Sequence, residues 1–375
     1  MKRIFIYVQH LLGIGHLMRM SRLAAALAEG PFEVTVASGG ASLPQVSFGK
    51  ARLIQLPPAR ADASGFSTLL DDTGQPFTRE TEARRAALLR DAFDAARPHA
   101  LLIEAFPFAR RQMRFELLPL HDHARALTPR PLILSSIRDI LQENHKPGRA
   151  EETAALVEDY FDHVLVHGDG AATPLAASFA LAARFAEKIV YTGLVGPPPI
   201  GAPIHEHDVI VSAGGGAVGE NLIRCALLAR PLTALRDLRW LAVTGPNMPD
   251  AAFAELAALA GGRVTLERFV TQLPQRLKGA ALSISQAGYN TVAEILAAGC
   301  RGVLIPFAAE GETEQTARAE GLVRRGLAVC VAEDGLTPQR LADAIAAALR
   351  APAPRAQSAQ DGAAMTRAFF EGLLA

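Results

Sequence analysis

The chain has 375 residues, of which 50% are hydrophobic, and its 38 basic and 38 acidic side chains give a formal net charge of zero. A neutral balance creates no general attraction for nucleic acid, so we expect no nucleic-acid partner. At about 150 residues per domain, the length predicts two domains. Cys225, Cys300 and Cys330 lie far apart in the sequence and form no metal-ligand spacing, which is typical of small buried residues in a reducing compartment.

The N-terminal residues do not have the pattern of a secretory signal. Two basic residues precede an apolar run that covers only residues 4–8, shorter than the roughly 7–15 residues of a signal core. No stretch of the sequence reaches the ~20 apolar residues that span a bilayer. We therefore expect a cytoplasmic protein, with peripheral contact to the inner face of the membrane left open, and interpret residues 4–8 as a buried first strand.

Short apolar runs rich in β-branched residues alternate with alanine-rich helical runs along the whole chain. Continuous apolar strands that alternate with helices indicate parallel sheets covered on both faces. The predicted fold class is α/β, with two doubly wound Rossmann-like domains. The predicted strands are residues 4–8, 33–37, 100–103, 131–136, 163–166 and 188–191 in the first half, and 208–212, 239–243, 263–267, 281–285, 301–305 and 328–331 in the second.

A segment rich in proline and glycine, residues 197–207, lies between two strand signals. Such a segment is stiff and poor at continuing a helix or strand, so it predicts a hinge between an N-terminal domain, 1–196, and a C-terminal domain, 208–350. A long loop within one domain is the alternative. Residues 351–375 are expected to form a tail that ends in a short helix. Residues 57–75, rich in Gly, Ser, Asp and Pro, are expected to form a mobile loop on the first domain.

The loop after the first strand places a histidine near the start of a helix. Gly13 and Gly15 form the loop, and His16 follows them. Ligands bind at this edge of doubly wound folds. A helix N-terminus lowers the proton affinity of a nearby histidine and leaves it able to accept a proton, so His16 is the candidate general base. A packing or capping role for His16 is the alternative.

Other polar side chains follow further strands of the first domain. Glu104 follows one strand, and Arg138 and Asp139 follow the next. The carboxyl ends of parallel strands meet at one edge, so Glu104 or Asp139 could orient His16 or bind acceptor hydroxyls. Turn capping is the alternative. Residues 103–120 mix phenylalanines with arginines; an amphipathic helix with a solvated basic face is favoured there over a site for an acceptor pyrophosphate or a membrane surface.

In the second half, a strand leads into a glycine-rich loop. Ser212 is followed by Gly214, Gly215 and Gly216, and a helix begins beyond Gly219. Glycines allow the backbone to approach a ligand closely, and the N–H groups of a helix N-terminus attract anions. The loop therefore predicts a phosphate site. A tight turn between strand and helix, without a ligand, is the alternative.

A second strand-to-helix connection contains Gly288, Asn290, Thr291 and Glu294. Thr291 and Glu294 have the spacing of a capping box, in which each side chain satisfies a backbone N–H at the start of a helix. The alternative is that the Glu294 carboxylate accepts hydrogen bonds from vicinal ribose hydroxyls, as acidic residues do in dinucleotide-binding folds.

These residues belong to a longer pattern. The string GYNTVAE at 288–294, AAG at 297–299, IPF at 305–307 and the pair Glu314 and Gln315 resemble the donor-site signature of MurG-type glycosyltransferases. The resemblance implies a GT-B fold, in which two Rossmann-like domains face each other across a cleft. It implies a nucleotide-sugar donor, most simply a UDP-sugar, in the C-terminal domain.

The same resemblance assigns roles within the donor site. It implies that Glu294 binds the donor ribose, that Gln315 faces the donor sugar, and that Phe269 and Val270 frame the uracil. The glycine loop would lie by the diphosphate. The chain departs from the pattern at Arg318, where an asparagine is typical. A solvated helix face is favoured for Arg318 over a contact with an additional negative charge on the donor.

The string GIGHLMR at residues 13–19 resembles the first glycine loop of MurG enzymes and the corresponding loop of the UDP-sugar hydrolase of pseudaminic acid biosynthesis. Both resemblances imply that His16 is the base, but one implies a sugar hydroxyl and the other implies water as the nucleophile. We expect an inverting hexosyltransferase with no metal and no cofactor beyond the UDP-sugar co-substrate. Its acceptor would be a sugar, a lipid-linked molecule or another small molecule. A nucleotide-sugar hydrolase or epimerase, and a non-catalytic nucleotide-sugar-binding protein, are the alternatives.

Overall fold

The computed structural model describes residues 1–11, 13–44, 46–62, 65–142, 146–214, 219–308, 312–355 and 361–375. The chain divides into two compact units, Met1–Val195 with Gln360–Ala375, and Gly196–Ala359. Among the described residues, no helix has both the length and the apolar character needed to cross a bilayer.

The first unit is built on a seven-stranded parallel sheet in the order β3-β2-β1-β6-β7-β8-β9. Its strands are β1 (Lys2–Val8), β2 (Phe32–Ser38), β3 (Arg52–Gln55), β4 (Arg60–Asp62), β5 (Gly65–Leu70), β6 (Ala100–Glu104), β7 (Leu132–Arg138), β8 (His163–His167) and β9 (Ile189–Tyr191). Its first four helices are α1 (Gly15–Ala28), α2 (Arg79–Ala96), α3 (Arg114–Ala126) and α4 (Arg149–Tyr160). Short 3-10 helices cover Arg111–Met113, Leu175–Ala177 and Ala180–Lys188.

The core of this unit follows from the apolar pattern of its elements. All residues of β1 from Ile4 to Val8 are buried, because helices cover both faces of a parallel sheet. Helix α1 turns Leu17, Met20 and Leu23 toward one face of the sheet. Helix α2 begins where the Thr78 hydroxyl accepts a hydrogen bond from the N–H of Thr81, 3.2 Å away.

All six predicted strands of the first half are present, but three others were missed. Strand β3 is a half-exposed edge strand without an apolar run, so its sequence has no clear strand pattern. Strands β4 and β5 form an antiparallel pair inside residues 57–75, where a mobile loop was predicted. Both are short, and Ala61 and Leu69 are their buried apolar residues among those with described side chains. Residues 63–64 lie outside the described residues.

The second unit is built on a six-stranded parallel sheet in the order β12-β11-β10-β13-β14-β15. Its strands are β10 (Val209–Ser212), β11 (Trp240–Val243), β12 (Val264–Glu267), β13 (Leu282–Ser285), β14 (Gly302–Leu304) and β15 (Val329–Cys330). Its helices are α5 (Glu220–Ala229), α6 (Asp250–Ala260), α7 (Leu273–Gly279), α8 (Tyr289–Ala298), α9 (Glu314–Arg324) and α10 (Pro338–Arg350), with a 3-10 helix at Arg230–Leu232. Each predicted strand of the second half is found.

The proline-rich segment 197–207 packs against the second unit. The N–H of Ile204 donates to the Gln275 carbonyl, 3.0 Å away, and the Lys278 ammonium donates to the Gly201 carbonyl at 3.0 Å. Gly279 is needed for this packing, because a Cβ there would lie 2.1 Å from the Ile204 carbonyl oxygen. One backbone hydrogen bond and one from a lysine side chain therefore attach the predicted hinge segment to α7.

The C-terminal residues return to the first unit instead of forming a separate tail. Helix α11 (Gly362–Leu373) packs on α1, and the Phe370 ring lies 6.3 Å from that of Phe32. The N–H of Gly362 donates to the Leu194 carbonyl at 3.0 Å. The apolar face of α11 is buried in the core that α1 forms on the sheet. Burial of this apolar surface stabilises the packing of α11 on the first unit.

Candidate functional site

The first unit brings His16 and Glu104 into direct contact. His16 lies in the first turn of α1, and Glu104 is the last residue of β6. The Nδ1–H of His16 hydrogen-bonds to Oε1 of Glu104. The Glu104 side chain is fully buried, whereas the His16 side chain keeps 23% of its surface exposed. The carboxylate thus fixes the ring through one nitrogen, and Nε2 is the nitrogen left to accept a proton.

Two arginines complete the surroundings of Glu104. Arg19, one turn beyond His16 on α1, is buried, and its Nη2 donates to Oε1 of Glu104 at 2.8 Å. The Nε of Arg110 lies 3.8 Å from Oε2 of Glu104 and donates to the Gln9 carbonyl at 2.7 Å. Arg110 has a left-handed backbone, with φ of 62°. Arg19 was not predicted from the sequence as a site residue, although it belongs to the GIGHLMR string.

The charges around this pair determine its protonation. Burial is the main cause that lowers the pKa of His16 to about 4; Glu104 opposes this shift and Arg110 adds to it. Burial alone would raise the pKa of Glu104, but His16, Arg110 and Arg19 together lower it to about 2. At neutral pH the pair is therefore a neutral imidazole held by a carboxylate, which is the state that a general base requires.

Asp139 has the turn role that was its alternative. It is buried at the end of β7, and its Oδ1 accepts a hydrogen bond from the N–H of Ile140 at 2.9 Å. Arg138, the last residue of β7, is half-buried. Gly15 is the first residue of α1, and Gly13 precedes it in open space, where an added Cβ would meet nothing within 4 Å. Of the predicted residues at this edge, Glu104 is thus the one that contacts His16.

Two other histidines lie at the carboxyl edge of the same sheet. His167 is buried and satisfied at both nitrogens, by the hydroxyls of Ser136 at 2.8 Å and Thr192 at 2.7 Å. His10 is 6% exposed, and its ring packs against Gly40, where a Cβ would lie 2.3 Å away. Among the described residues, Nδ1 of His10 has no hydrogen-bond partner. His10 was not predicted from the sequence as a site residue, although it follows the first strand.

The predicted basic helix at residues 103–120 is wrong. Helix α3 begins only at Arg114, and Arg110 turns inward toward Glu104. Arg111 and Arg114 both form ion pairs with Glu152 of α4. These arginines therefore do not form a solvated basic face, because nearby carboxylates pair with them.

In the second unit, Ser212 ends β10 and its hydroxyl accepts a hydrogen bond from the N–H of Gly214, 3.3 Å away. Gly214 has φ of 72°, which favours glycine. Gly215 and Gly216, both predicted to lie by the diphosphate, are outside the described residues. Gly219 precedes α5, and a Cβ there would lie 1.8 Å from that of Ala213, so only glycine allows the helix to start this close to the strand.

The start of α8 removes the capping alternative for Glu294. Helix α8 begins at Tyr289 with Gly288 as its N-cap, three residues before Thr291, which the capping-box spacing would make the N-cap. Thr291 therefore lies inside the first turn, and Glu294 lies in the second turn and is half-buried. Asn290, also half-buried, is in the first turn.

The residues at the start of α9 make contacts with the backbone and with one another that the sequence did not predict. Oε1 of Gln315 accepts hydrogen bonds from the backbone N–H groups of Ala287 at 2.9 Å and Phe307 at 3.2 Å. Glu314 is 2% exposed and pairs with Arg318 at 2.6 Å. Arg318 is 4% exposed, so the predicted solvated helix face is wrong. It is buried because Glu314 and the Ala287 carbonyl both accept hydrogen bonds from it.

Two further positions lie at the carboxyl edge of this sheet. Phe269 follows β12 with 62% of its surface exposed, and Val270 is half-buried beside it. Gln286, which follows β13, is buried, and its Oε1 lies 3.8 Å from where a Cβ on Gly214 would be. Gln286 therefore lies next to the glycine loop. In the part of the chain that the structure describes, no three His, Cys, Asp or Glu side chains are placed to hold a metal ion.

Comparison with solved structures defines the class of fold. The chain is similar over its whole length to the glycotransferase of kitacinnamycin, with a TM-score of 0.66 and 18% identity over 100% of this chain and 99% of that one. It is also similar to MurG of Acinetobacter baumannii, with a TM-score of 0.58 and 16% identity over 99% and 100% of the two chains. The fold is the GT-B fold of glycosyltransferases, as predicted.

Sequence comparison shows what the second half of the chain is similar to. Residues 209–370 match the Glycosyltransferase family 28 C-terminal domain. The UDP-N-acetylglucosamine--N-acetylmuramyl-(pentapeptide) pyrophosphoryl-undecaprenol N-acetylglucosamine transferase of Sorangium cellulosum (strain So ce56) is 32% identical over 157 residues, which are 42% of this chain and 39% of that protein. The enzyme of the same name from Paraburkholderia xenovorans (strain LB400) is 28% identical over 222 residues, 58% and 56% of the two chains.

The chain spans about two fifths of the length of the Sorangium cellulosum relative. Within that span, the predicted resemblance to MurG-type glycosyltransferases is confirmed, and residues 209–370 are similar to the family 28 C-terminal domain. The roles of the individual site residues remain predictions.

Proposed function

We propose that the protein is an inverting glycosyltransferase that moves a sugar from a nucleoside diphosphate donor, a UDP-sugar, to a hydroxyl group of an acceptor. The second unit would bind the donor. The family 28 match and the names of the curated relatives, which are transferases of UDP-N-acetylglucosamine, support this choice of donor. Those names also support a lipid-linked acceptor, met at the inner face of the membrane.

The observation that most supports catalysis is the buried pairing of His16 with Glu104. In the proposed step, the acceptor oxygen attacks the anomeric carbon of the donor sugar as the bond from that carbon to the diphosphate oxygen breaks. The acceptor proton passes to Nε2 of His16, and the nucleoside diphosphate leaves with the electron pair. Glu104 stabilises the imidazolium ion that forms, as a carboxylate does beside a catalytic histidine.

In the donor site, Glu294 would accept hydrogen bonds from the ribose hydroxyls. Its position in the second turn of α8 supports this role, because it is not used to cap the helix. The backbone N–H groups at the start of α8 and the loop at Gly214 would bind the diphosphate. Phe269, exposed after β12, would stack on the base. With its oxygen occupied by two backbone N–H groups, Gln315 would offer its amide N–H groups to the sugar.

Calorimetric titration of the protein with UDP, dTDP, GDP and CDP tests the donor site. We expect UDP to bind and Glu294→Ala to weaken binding by about 1–3 kcal/mol, the effect of removing a charged hydrogen-bond partner. Glu320→Ala is the control, because Glu320 is a 61% exposed carboxylate on α9. If none of the four nucleotides binds at millimolar concentration, the assignment of the donor site is wrong.

Product analysis separates transfer from hydrolysis, the alternative that the GIGHLMR string leaves open. The protein is incubated with UDP-N-acetylglucosamine, with and without a panel of hydroxyl-bearing acceptors, and both UDP and free sugar are measured. Transfer predicts that acceptors increase UDP release well above the rate in water. Equal rates with and without every acceptor, together with free sugar as the product, would identify a hydrolase. In either case His16→Asn should abolish turnover while UDP binding persists.

A further inference from the structure

Side chains of α9 hold the peptide groups on both sides of Ala287. The N–H of Ala287 donates to Oε1 of Gln315 at 2.9 Å, and its carbonyl accepts from Nη1 of Arg318 at 2.8 Å. Ala287 lies in the three-residue connection between β13 and α8. The backbone of this connection is therefore fixed by another helix at both of its polar groups.

The same side chains are themselves held in place. Oε1 of Gln315 also accepts from the N–H of Phe307 at 3.2 Å, so one amide oxygen joins the loops after β13 and β14. Arg318 pairs with Glu314 at 2.6 Å, and its guanidinium lies 5.7 Å from the centre of the Tyr289 ring. Arg318, Glu314 and Tyr289 are each at least nine-tenths buried. A buried charged group needs several such partners, so its geometry is tightly defined.

The fixed connection leads to the parts of the second unit that would meet a diphosphate. Gln286 precedes Ala287, and its side chain lies next to the glycine loop at Gly214. Gly288 follows Ala287 and is the N-cap of α8, and a glycine has no side chain with which to cap the helix. A movement of the Ala287 peptide would displace Gln286 and the start of α8 together.

We propose that Gln315 and Arg318 are positioning residues that hold the Ala287 peptide, and that they thereby place Gln286 and the N-terminus of α8 for the diphosphate of the donor. This inference rests on the proposed donor site. It also explains a departure from the family pattern, because Arg318, where an asparagine is typical, hydrogen-bonds to the backbone of the site. Neither residue needs to touch the nucleotide base or the ribose.

Two variants test the proposal in the full-length protein. Gln315→Met removes the acceptor of the Ala287 and Phe307 N–H groups. The double variant Glu314→Met, Arg318→Met replaces the buried ion pair by apolar side chains of similar length, so that no buried charge is left without its partner. Arg324→Met is the control, because Arg324 lies on the same helix and is 66% exposed.

Two measurements are made on each variant. Amide hydrogen exchange reports on the backbone at Ala287 and Phe307. Calorimetric titration compares UDP with uridine, which lacks the diphosphate. We expect faster exchange at these amides in both test variants, about tenfold weaker UDP binding, corresponding to about 1.4 kcal/mol, and an unchanged affinity for uridine. The control should match the wild-type protein in amide exchange, in UDP affinity and in uridine affinity.

The proposal is overturned if exchange at Ala287 does not change, or if it increases while UDP binds as tightly as before. An equal loss of UDP and uridine would also overturn it, because it would indicate general damage to the unit. Gln315→Met replaces a half-buried neutral side chain, so it provides an answer even if the double variant fails to fold. Absence of UDP binding to the wild-type protein would contradict the proposed donor site itself, and this inference would fall with it.

Discussion

His16 and Glu104 are 88 positions apart in the sequence, and the parallel pairing of β1 with β6 brings them into a direct hydrogen bond. Helix α1 follows β1, and Glu104 ends β6, so both side chains lie at the carboxyl edge of adjacent strands. Burial keeps His16 neutral at pH 7, and His16 together with Arg110 and Arg19 keeps Glu104 ionised. His16 can therefore accept a proton at pH 7 without first losing one.

The first prediction concerns the base. Glu104→Gln should lower the rate of sugar transfer by roughly 10²- to 10⁴-fold, because the imidazolium formed at His16 loses its stabilising charge. Asp139→Asn is the comparison, since Asp139 hydrogen-bonds to the N–H of Ile140, and it should lose far less. Steady-state rates with saturating donor measure the difference. Equal losses in the two variants would show that Glu104 has no special relation to His16.

The second prediction is the pH dependence of turnover. His16 must be neutral to accept a proton, and its pKa is about 4. The rate at low substrate concentration should therefore not fall as pH decreases from 7 until pH approaches 4, whereas a histidine of ordinary pKa would cause a fall below pH 6.5. A pH–rate profile, with the stability of the protein checked at each pH, distinguishes these two cases. A fall centred near pH 6.5 would contradict the buried neutral state of His16.

The third prediction concerns stability in acid. His121 is fully buried, with Nδ1 bonded to the Leu117 carbonyl at 2.6 Å and aromatic rings around it, and burial lowers its pKa to about 4. The unfolded chain binds a proton at His121 below pH 6.5 while the folded chain does not, so stability decreases between pH 6.5 and 4 and is constant above that range. The contribution reaches about 3 kcal/mol at the acid end, from 1.36 kcal/mol per pH unit.

Urea unfolding of wild type and His121→Phe over this pH range measures that contribution. The variant loses the titrating group, so its stability relative to wild type should improve steadily as the pH decreases below 6.5. The exposed His205 provides the control: His205→Phe should show no such trend. A stability difference between His121→Phe and wild type that does not vary with pH would refute the linkage.

The fourth prediction concerns the glycine before α5. Gly219→Ala places a Cβ 1.8 Å from that of Ala213, which the backbone cannot accommodate without moving. We expect a loss of about 1–3 kcal/mol of stability, the usual cost of overpacking, together with weaker UDP binding. Gly262→Ala is the matched control in the same unit, because its added Cβ would meet nothing within 4 Å. Thermal unfolding and UDP titration provide the two measurements, and a Gly219→Ala protein as stable as the control would contradict the contact.

The fifth prediction tests the return of α11 to the first unit. Phe370 is fully buried, so Phe370→Ala should cost about 3–5 kcal/mol and accelerate amide exchange in β1 and α1. Exchange in β10 and β13 of the second unit should change far less. Met365→Ala, at a residue of the same helix that is 48% exposed, should have little effect on either unit. Faster amide exchange confined to the second unit would contradict the packing of α11 on the first unit.

The two parallel sheets and the positions of most strands could be predicted from the amino-acid sequence. Each strand at positions such as 4–8 or 282–285 is a local apolar run, and its signal does not depend on the rest of the chain. The sequence also located the glycine loops and the family pattern at Glu294, which are continuous strings. Strand β3 and the β4–β5 pair were missed because they are exposed or short, and such strands are stabilised by neighbours rather than by their own composition.

Which polar side chains come into contact could not be predicted in this way, because the contacts form only in the folded chain. Glu104 and Asp139 were both predicted to follow a strand, yet Glu104 hydrogen-bonds to His16 and Asp139 hydrogen-bonds within its own turn. Arg318 has the sequence context of a solvated helix face, but the Ala287 carbonyl and Glu314 hold it inside. Such choices depend on distances between segments far apart in the chain. Burial then sets the charge of each group, and burial is a property of the assembled fold, which no local pattern contains.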